Sequence, residues 1–274
     1  MIVFPNCKIN LGLHILGKRE DGYHNLETVF YPLNLTDILE LLPTKETSNS
    51  FSFSQSGLTV EGSSSDNLCV KAYQLLKKDF PNLPAMKLHL HKAIPMGAGL
   101  GGGSADGAFT LGLLNDKFFL QLDEKALLQY AAALGSDGPF FIINKPCYAG
   151  GRGELLEPVP ISLKGYHIVL INPGIHISTA WAFAQLTPAL PENDLRKIIA
   201  APIDTWRSDL KNDFEGPVFQ AHPEIGNIKE TLYQRGAIYA AMSGSGSTVF
   251  GIFREPCNPD WFPGKNYYIR QLAG

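Results

Sequence analysis

The segment Pro95-Met96-Gly97-Ala98-Gly99-Leu100-Gly101-Gly102-Gly103-Ser104 constrains this chain more than any other. Five of the seven residues from 97 to 103 are glycine, and an apolar helical pattern follows at once. Glycine permits positive φ and lets the backbone come close to a ligand, so successive N–H groups can converge on one anion. A helix beginning near Ser104 adds the positive end of its dipole, equivalent to roughly half a charge. The expected role of such a loop is to cradle phosphates. A flexible linker is the weaker reading, because linkers are rich in Ser, Gly and Pro and do not open straight into an apolar helix.

Gly97-x-Gly99-x-x-Gly102 also satisfies the spacing of a dinucleotide fingerprint, which keeps a nicotinamide-binding oxidoreductase among the alternatives. A dinucleotide site wants a βαβ unit with an acidic residue about 20 positions on. Here a second helical pattern, Asp123 to Leu134, follows the first. No G-x-x-x-x-G-K-[ST] occurs, so phosphates must be held without a P-loop lysine, and Lys92 and Lys8 are the expected cations.

From Cys7 to Ile15, apolar residues alternate strictly with Lys8, Asn10, Gly12 and His14, the period of a strand with one dry face. Lys8 and Asn10 then share the other face, and Gly12 leaves room for something to approach. Asp66 or Asn67 is placed to cap an amphipathic helix from Leu68 to Lys78, and Met86 to His91 alternates as a strand that Pro95 ends. Gly135 suits the end of the second helix, and Ser136-Asp137-Gly138-Pro139 has the chemistry of a turn, which makes Asp137 a turn former first on local grounds. Tyr148 to Glu154 is expected to cross between domains, ahead of a strand from Tyr166 to Ile171. Two apolar runs around Ser243-Gly244-Ser245-Gly246-Ser247 predict a tight hairpin.

A chain of 274 residues, at roughly 150 per domain, suggests just under two domains. The net charge of -3, without a Lys/Arg cluster, argues against nucleic acid and anionic membrane surfaces as partners and leaves small ligands. No apolar run is long enough to span a membrane, and no signal-peptide pattern opens the chain, so a cytoplasmic protein is expected. Cys7, Cys69, Cys147 and Cys257 are scattered without zinc or disulfide spacing, and free, mostly buried thiols are expected.

The order of these signals resembles the GHMP small-molecule kinases. The resemblance rests on Lys8-Ile-Asn-Leu-Gly-Leu, Asp21-Gly22-Tyr23-His24, the loop from Pro95 to Asp106, Gly135 to Phe141, Asn212-Asp213-Phe214-Glu215 and Ser243 to Ser247, and so runs along essentially the whole chain. It implies an α+β fold of two domains, ribosomal-protein-S5-like over 1–152 and ferredoxin-like over 153–274. ATP with Mg2+ would phosphorylate an alcohol of a small-molecule substrate, a cytidine diphosphate-linked methylerythritol. The protein is then expected to be a monomer or weak homodimer with no resident metal site. By position, Lys8 and Asp137 would be catalytic and in contact with each other. Lys92, Pro95, Met96, Gly97, Ala98, Gly99, Leu100, Gly101, Gly102, Gly103 and Ser104 would surround ATP, while Asn10, Tyr23, His24 and Phe183 would hold the substrate. Homoserine and mevalonate kinases are rivals within the family, and a non-catalytic nucleotide sensor is a rival outside catalysis. The chain departs from the family pattern at Ala105, where a second serine is usual, at Gly138, often β-branched, and at Ala180, frequently proline.

Overall fold

The computed structural model describes residues 1–43, 51–59, 62–257 and 268–273. In chain order the elements are β1 Ile2–Val3, β2 Asn6–Lys18, β3 His24–Thr36, β4 Ile38–Pro43, β5 Ser52–Gly57, α1 Leu68–Asp79, β6 Met86–Lys92, α2 Gly102–Phe118, α3 Glu124–Leu134 and α4 Gly138–Ile143. They continue as β7 Cys147–Gly150, β8 Leu155–Pro158, β9 His167–Asn172, α5 Thr179–Ala184, α6 Leu195–Ala200, α7 Trp206–Asp209, α8 Glu215–Ala221, α9 Pro223–Gln234, β10 Tyr239–Met242, β11 Val249–Phe253 and β12 Tyr268–Ala273. The fold is α+β, and no helix among the described residues is long and apolar enough to cross a membrane. The chain divides into two compact units, Met1–Cys7, Leu35–Met96 and Gly101–Lys145 forming one and Lys8–Asn34, Gly97–Leu100 and Pro146–Gly274 the other.

In the first unit a mixed sheet of order β1-β4-β6-β5 carries β5 parallel to β6 and the other pairs antiparallel. Met86, Leu88 and Leu90 of β6 point inward at period two, as their spacing predicts, and pack with Cys69, Ala72 and Leu76 of α1 and Leu111 and Leu114 of α2. Asn67 caps α1 by accepting from the Cys69 amide at 2.9 Å, and Asp123 caps α3 by accepting from Ala126 at 2.8 Å. Gly135 does end α3, but its φ of 163° is extended backbone.

The second unit holds two sheets, β2-β3-β7-β8 and the antiparallel β10-β11-β9-β12. Ile225, Ile228 and Leu232 of α9 share a core with Leu13 and Ile15 of β2, Val169 and Ile171 of β9, and Val249 of β11. The one-dry-face expectation for β2 needs correction: Lys8, Asn10 and His14 are buried like the apolar residues between them, because each has a polar partner inside the fold. Tyr148 to Glu154 also differs from the expected crossing. It is β7 and the turn that returns the chain as β8, with Gly151 and Gly153 supplying positive φ. None of the four cysteines is in a disulfide; three are buried and Cys257 is half-buried.

Candidate active site

In the second unit, the two-residue period of β2 sets Lys8 and Asn10 side by side. The Lys8 Nζ donates to Asn10 Oδ1 at 2.6 Å and to the Gly99 carbonyl at 3.3 Å, and lies 4.9 Å from the Phe30 ring centre. Asn10 Nδ2 donates to Thr28 Oγ1 at 3.0 Å, and that hydroxyl donates to the Gly12 carbonyl at 2.5 Å. Both ends of the Asn10 amide are therefore fixed. The space beside Gly12 is not open to a ligand: a Cβ there would meet Leu210 Cδ1 at 2.6 Å and Leu195 Cδ1 at 2.8 Å.

Residues 97–100 of the glycine loop are seated on the β10–β11 turn. Gly99 has φ of +78°, and a Cβ on it would fall 1.9 Å from the Ser243 carbonyl oxygen, so only glycine fits. Ser243 Oγ donates to the Gly99 carbonyl at 2.8 Å, and the Thr248 amide donates to the Ala98 carbonyl at 3.2 Å. The Lys8 amide donates to the Leu100 carbonyl at 2.9 Å. The Ser/Gly turn is thus a hairpin, as its sequence predicts, and also the bed of the loop. In the first unit α2 begins at Gly102, two residues before Ser104, behind a left-handed Gly101 that has no side chain with which to occupy the first-turn amides. The helix is followed by α3 and α4 rather than by a strand, so the βαβ unit of a dinucleotide site is absent.

Asn212 to Glu215, part of the family pattern in the sequence, ties β2 and the β10–β11 turn together. Asn212 Nδ2 donates to the carbonyls of Met242 at 2.7 Å and Gly244 at 2.9 Å, clamping the same turn. Asp213 accepts from the Ile15 amide at 2.8 Å and faces His14 Nδ1 at 3.2 Å. Glu215 accepts from the Met242 amide at 2.8 Å and from Lys229 at 2.5 Å.

Lys92, expected as a cation for phosphates, has its charge matched inside the first unit. Its Nζ donates to Asp37 and, at 2.8 Å, to Asp106, and all three side chains are buried. Asp37 also accepts from the amides of Ala93 at 2.6 Å and Ile94 at 2.9 Å. Burial disfavours the Lys92 ammonium, but the Asp106 and Asp37 carboxylates outweigh it and its pKa is raised. Burial likewise lifts Asp106 well above the ordinary carboxyl value, with Lys92 opposing and the Asp37 charge adding to the rise. Asp106 Oδ1 is buried without a hydrogen-bond partner. It borders a cavity of about 360 Å³ whose walls include Phe53, Asn67, Lys92, Met96 and Gly103. Neither Asp37 nor Asp106 stood out in the sequence.

Asp137 is the residue preceding α4, half-buried, with φ and ψ of -80° and -15°. Gly138, where the family pattern is often β-branched, has no room for a side chain: a Cβ on it would fall 2.5 Å from the Ala131 carbonyl oxygen, so the start of α4 lies hard against α3. In the second unit His24 stacks on Phe183 with ring centres 4.8 Å apart and planes at 17°, and Phe183 meets Phe214 edge-on at 4.9 Å. Tyr23 is exposed, with the Arg152 guanidinium 4.8 Å from its ring centre. Among the described residues, no three His, Cys, Asp or Glu side chains are grouped to hold a metal ion.

A glycine loop bedded on a Ser/Gly turn and running into a helix, within paired α+β units, is the arrangement of the GHMP kinases, and both of their domain models match: GHMP kinases N terminal domain over residues 67–145 and GHMP kinases C terminal over 186–258. The chain is 54% identical over 253 residues to the 4-diphosphocytidyl-2-C-methyl-D-erythritol kinase of Bacteroides fragilis, covering 92% of each protein. It is 54% identical over 256 residues to that of Bacteroides thetaiotaomicron, covering 93% of each. A solved structure of a 4-(cytidine 5'-diphospho)-2C-methyl-D-erythritol kinase superposes with a TM-score of 0.81 at 30% identity over 100% of both chains. The mevalonate kinase of Methanococcus jannaschii, at 13% identity and a TM-score of 0.66 over 92% and 90%, shares the fold alone. The chain belongs to the GHMP kinases and, within them, to the family of 4-diphosphocytidyl-2-C-methyl-D-erythritol kinases.

Proposed function

We propose that this kinase transfers the γ-phosphoryl group of ATP to the 2-hydroxyl of 4-diphosphocytidyl-2-C-methyl-D-erythritol, in non-mevalonate isoprenoid precursor biosynthesis. The observation that carries the reading is the likeness, over more than nine-tenths of the chain, to kinases named for that substrate. Residues 1–152 and 153–274 would be the two functional domains, and the two family matches fall on either side of that division.

The residues suit ATP. A 360 Å³ cavity is of the size that small-ligand sites have, and Phe53 and Met96 offer apolar surface to a nucleobase. The amides that open α2 suit phosphate oxygens, since Gly101, Gly102 and Gly103 bring no side chains into their way. ATP supplies the phosphoryl group. Mg2+ would accompany the phosphates with the Ser104 hydroxyl as its protein ligand, because this cation keeps several waters and needs few protein groups.

An alcohol is a poor nucleophile and must lose its proton as the phosphoryl group arrives, so a carboxylate is the natural acceptor. Asp137 takes that proton in this reading. Lys8 faces the charge that spreads over the transferred group, and Asn10, fixed at both ends of its amide, orients the hydroxyl. Tyr23, His24 and Phe183 bind the cytosine by stacking. His24 and Phe183 already touch, so the base lies on an outer ring face and not between those two.

The test is coupled ADP release with the cytidyl substrate, mevalonate and homoserine side by side. Turnover is expected with the first alone. Silence with it and turnover with either rival overturns the assignment, and near-normal turnover by Asp137→Ala removes the base.

A further inference from the structure

β5 and β6 pair in parallel with Ser54 opposite His89 and Ser56 opposite His91. Leu88 and Leu90 alternate with these histidines and belong to the core, so both imidazoles stand on the outer face of the sheet, His89 half-buried and His91 exposed. Neither ring turns freely. Ser54 Oγ lies 2.8 Å from His89 Nδ1, and Ser56 Oγ lies 2.9 Å from both His89 Nε2 and His91 Nδ1. A hydroxyl has one proton to give, so at Ser56 at most one of the two ring nitrogens accepts it. Two imidazole nitrogens therefore converge on one point and are at most 2.9 + 2.9 = 5.8 Å apart. Glu40, the register partner of His89 on β4, adds an acidic side chain to this face, and Lys87 adds a basic one.

We infer that His89 and His91 form a binding site for a borderline divalent cation of the zinc type, the ion taking the position that the Ser56 hydroxyl holds between Nε2 and Nδ1. Imidazole nitrogen is the ligand that suits Zn, Ni and Cu, and water completes the shell of a two-histidine site. Tetrahedral bonds of about 2.0–2.1 Å set two such nitrogens about 3.3 Å apart. Closing the gap takes no more than about 2.5 Å, shared by two side chains on an outward sheet face and reached by χ rotation. Each ring coordinates through a neutral nitrogen. β5 and β6 both contribute to the cavity wall, through Phe53 and Lys92, and an ion at this position would staple the two strands together.

The experiment uses the full chain, stripped with a chelator and titrated with zinc chloride at about pH 7.5 by calorimetry, alongside thermal melting. One Zn2+ is expected to bind and to raise the melting midpoint. His89→Gln and His91→Gln should each weaken binding by about a hundredfold or more and abolish the rise, since loss of a supporting neighbour already costs about 10–100-fold. Far-ultraviolet circular dichroism and the metal-free melting midpoint show whether each variant folds. One Zn2+ bound with undiminished affinity by the double variant H89Q/H91Q puts the ion elsewhere. Absence of stoichiometric binding to the wild type reduces the four residues to a hydrogen-bond ladder. Either result overturns the proposal.

Discussion

Asn10 and Ser243 meet although 233 positions separate them: the Asn10 amide donates to Ser243 Oγ at 3.2 Å. The same hydroxyl donates to the Gly99 carbonyl at 2.8 Å. One buried serine thus joins the polar strand β2, the glycine loop and the β10–β11 turn.

Ser243→Ala should cost about 1–3 kcal/mol of stability, because the buried Asn10 amide loses its acceptor and the Gly99 carbonyl its nearest donor. It should also raise the KM for ATP by loosening the loop. Urea unfolding at constant m reads the first effect and steady-state kinetics the second; an unchanged midpoint and KM would show that the contact carries no weight.

Gly99→Ala should be far worse than Gly17→Ala. At Gly99 the left-handed backbone costs about 1–2 kcal/mol for any L side chain, and the clash with the Ser243 carbonyl oxygen adds to it. At Gly17 a Cβ meets nothing within 4 Å and φ is not positive, so a change within about 0.5 kcal/mol is expected. Equal melting midpoints for the two variants would contradict the close seating of the loop.

Much of this was legible beforehand, and the misses share a cause. Period-two spacing gave β2 and β6, and side-chain chemistry gave Asn67 as one of two candidates for the cap of α1. The glycine run was legible because its backbone requirement is written in residue type. Asp37 and Asp106 were not, since a lone acid looks the same whether it faces water or a lysine 55 positions away. The buried polar face of β2 escaped notice for the same reason: alternation reports which residues share a face, and the partners that close the face, Thr28, Asp213 and Ser243, arrive from distant segments.

The Lys92 triad should give the protein a pH-dependent stability whose sign can be worked out. Asp106 has its folded pKa raised, so its contribution is whole below the ordinary 3.8 and is lost as pH climbs from there through the folded value. Lys92 is raised too, and its contribution begins to fall only above the ordinary 10.5. Asp106→Asn removes the first dependence. Its stability relative to wild type should therefore improve steadily from about pH 4 towards neutrality in urea unfolding series; a difference that does not change with pH would refute this.

Lys92→Met should destabilise by about 3–5 kcal/mol, the cost of leaving buried carboxylates without their counter-charge. Adding Asp37→Asn to it should recover part of that loss. A double variant no more stable than Lys92→Met would mean that packing, not charge, sets the effect.

Phe183 tests the cytosine reading, because it contributes a ring face and also fills space against Phe214 and His24. Phe183→Leu keeps an apolar side chain in contact with the second unit's core but offers no flat surface for a base. If cytosine stacks there, the loss is worth about 1–3 kcal/mol, which is about a 5- to 150-fold rise in KM for the cytidyl substrate. The KM for ATP should hardly move, since Phe183 is not among the residues that line the proposed nucleotide cavity. Steady-state kinetics with each substrate varied in turn separates the two constants. An unchanged KM for the cytidyl substrate with a lowered melting midpoint would return Phe183 to the hydrophobic core as a packing residue alone.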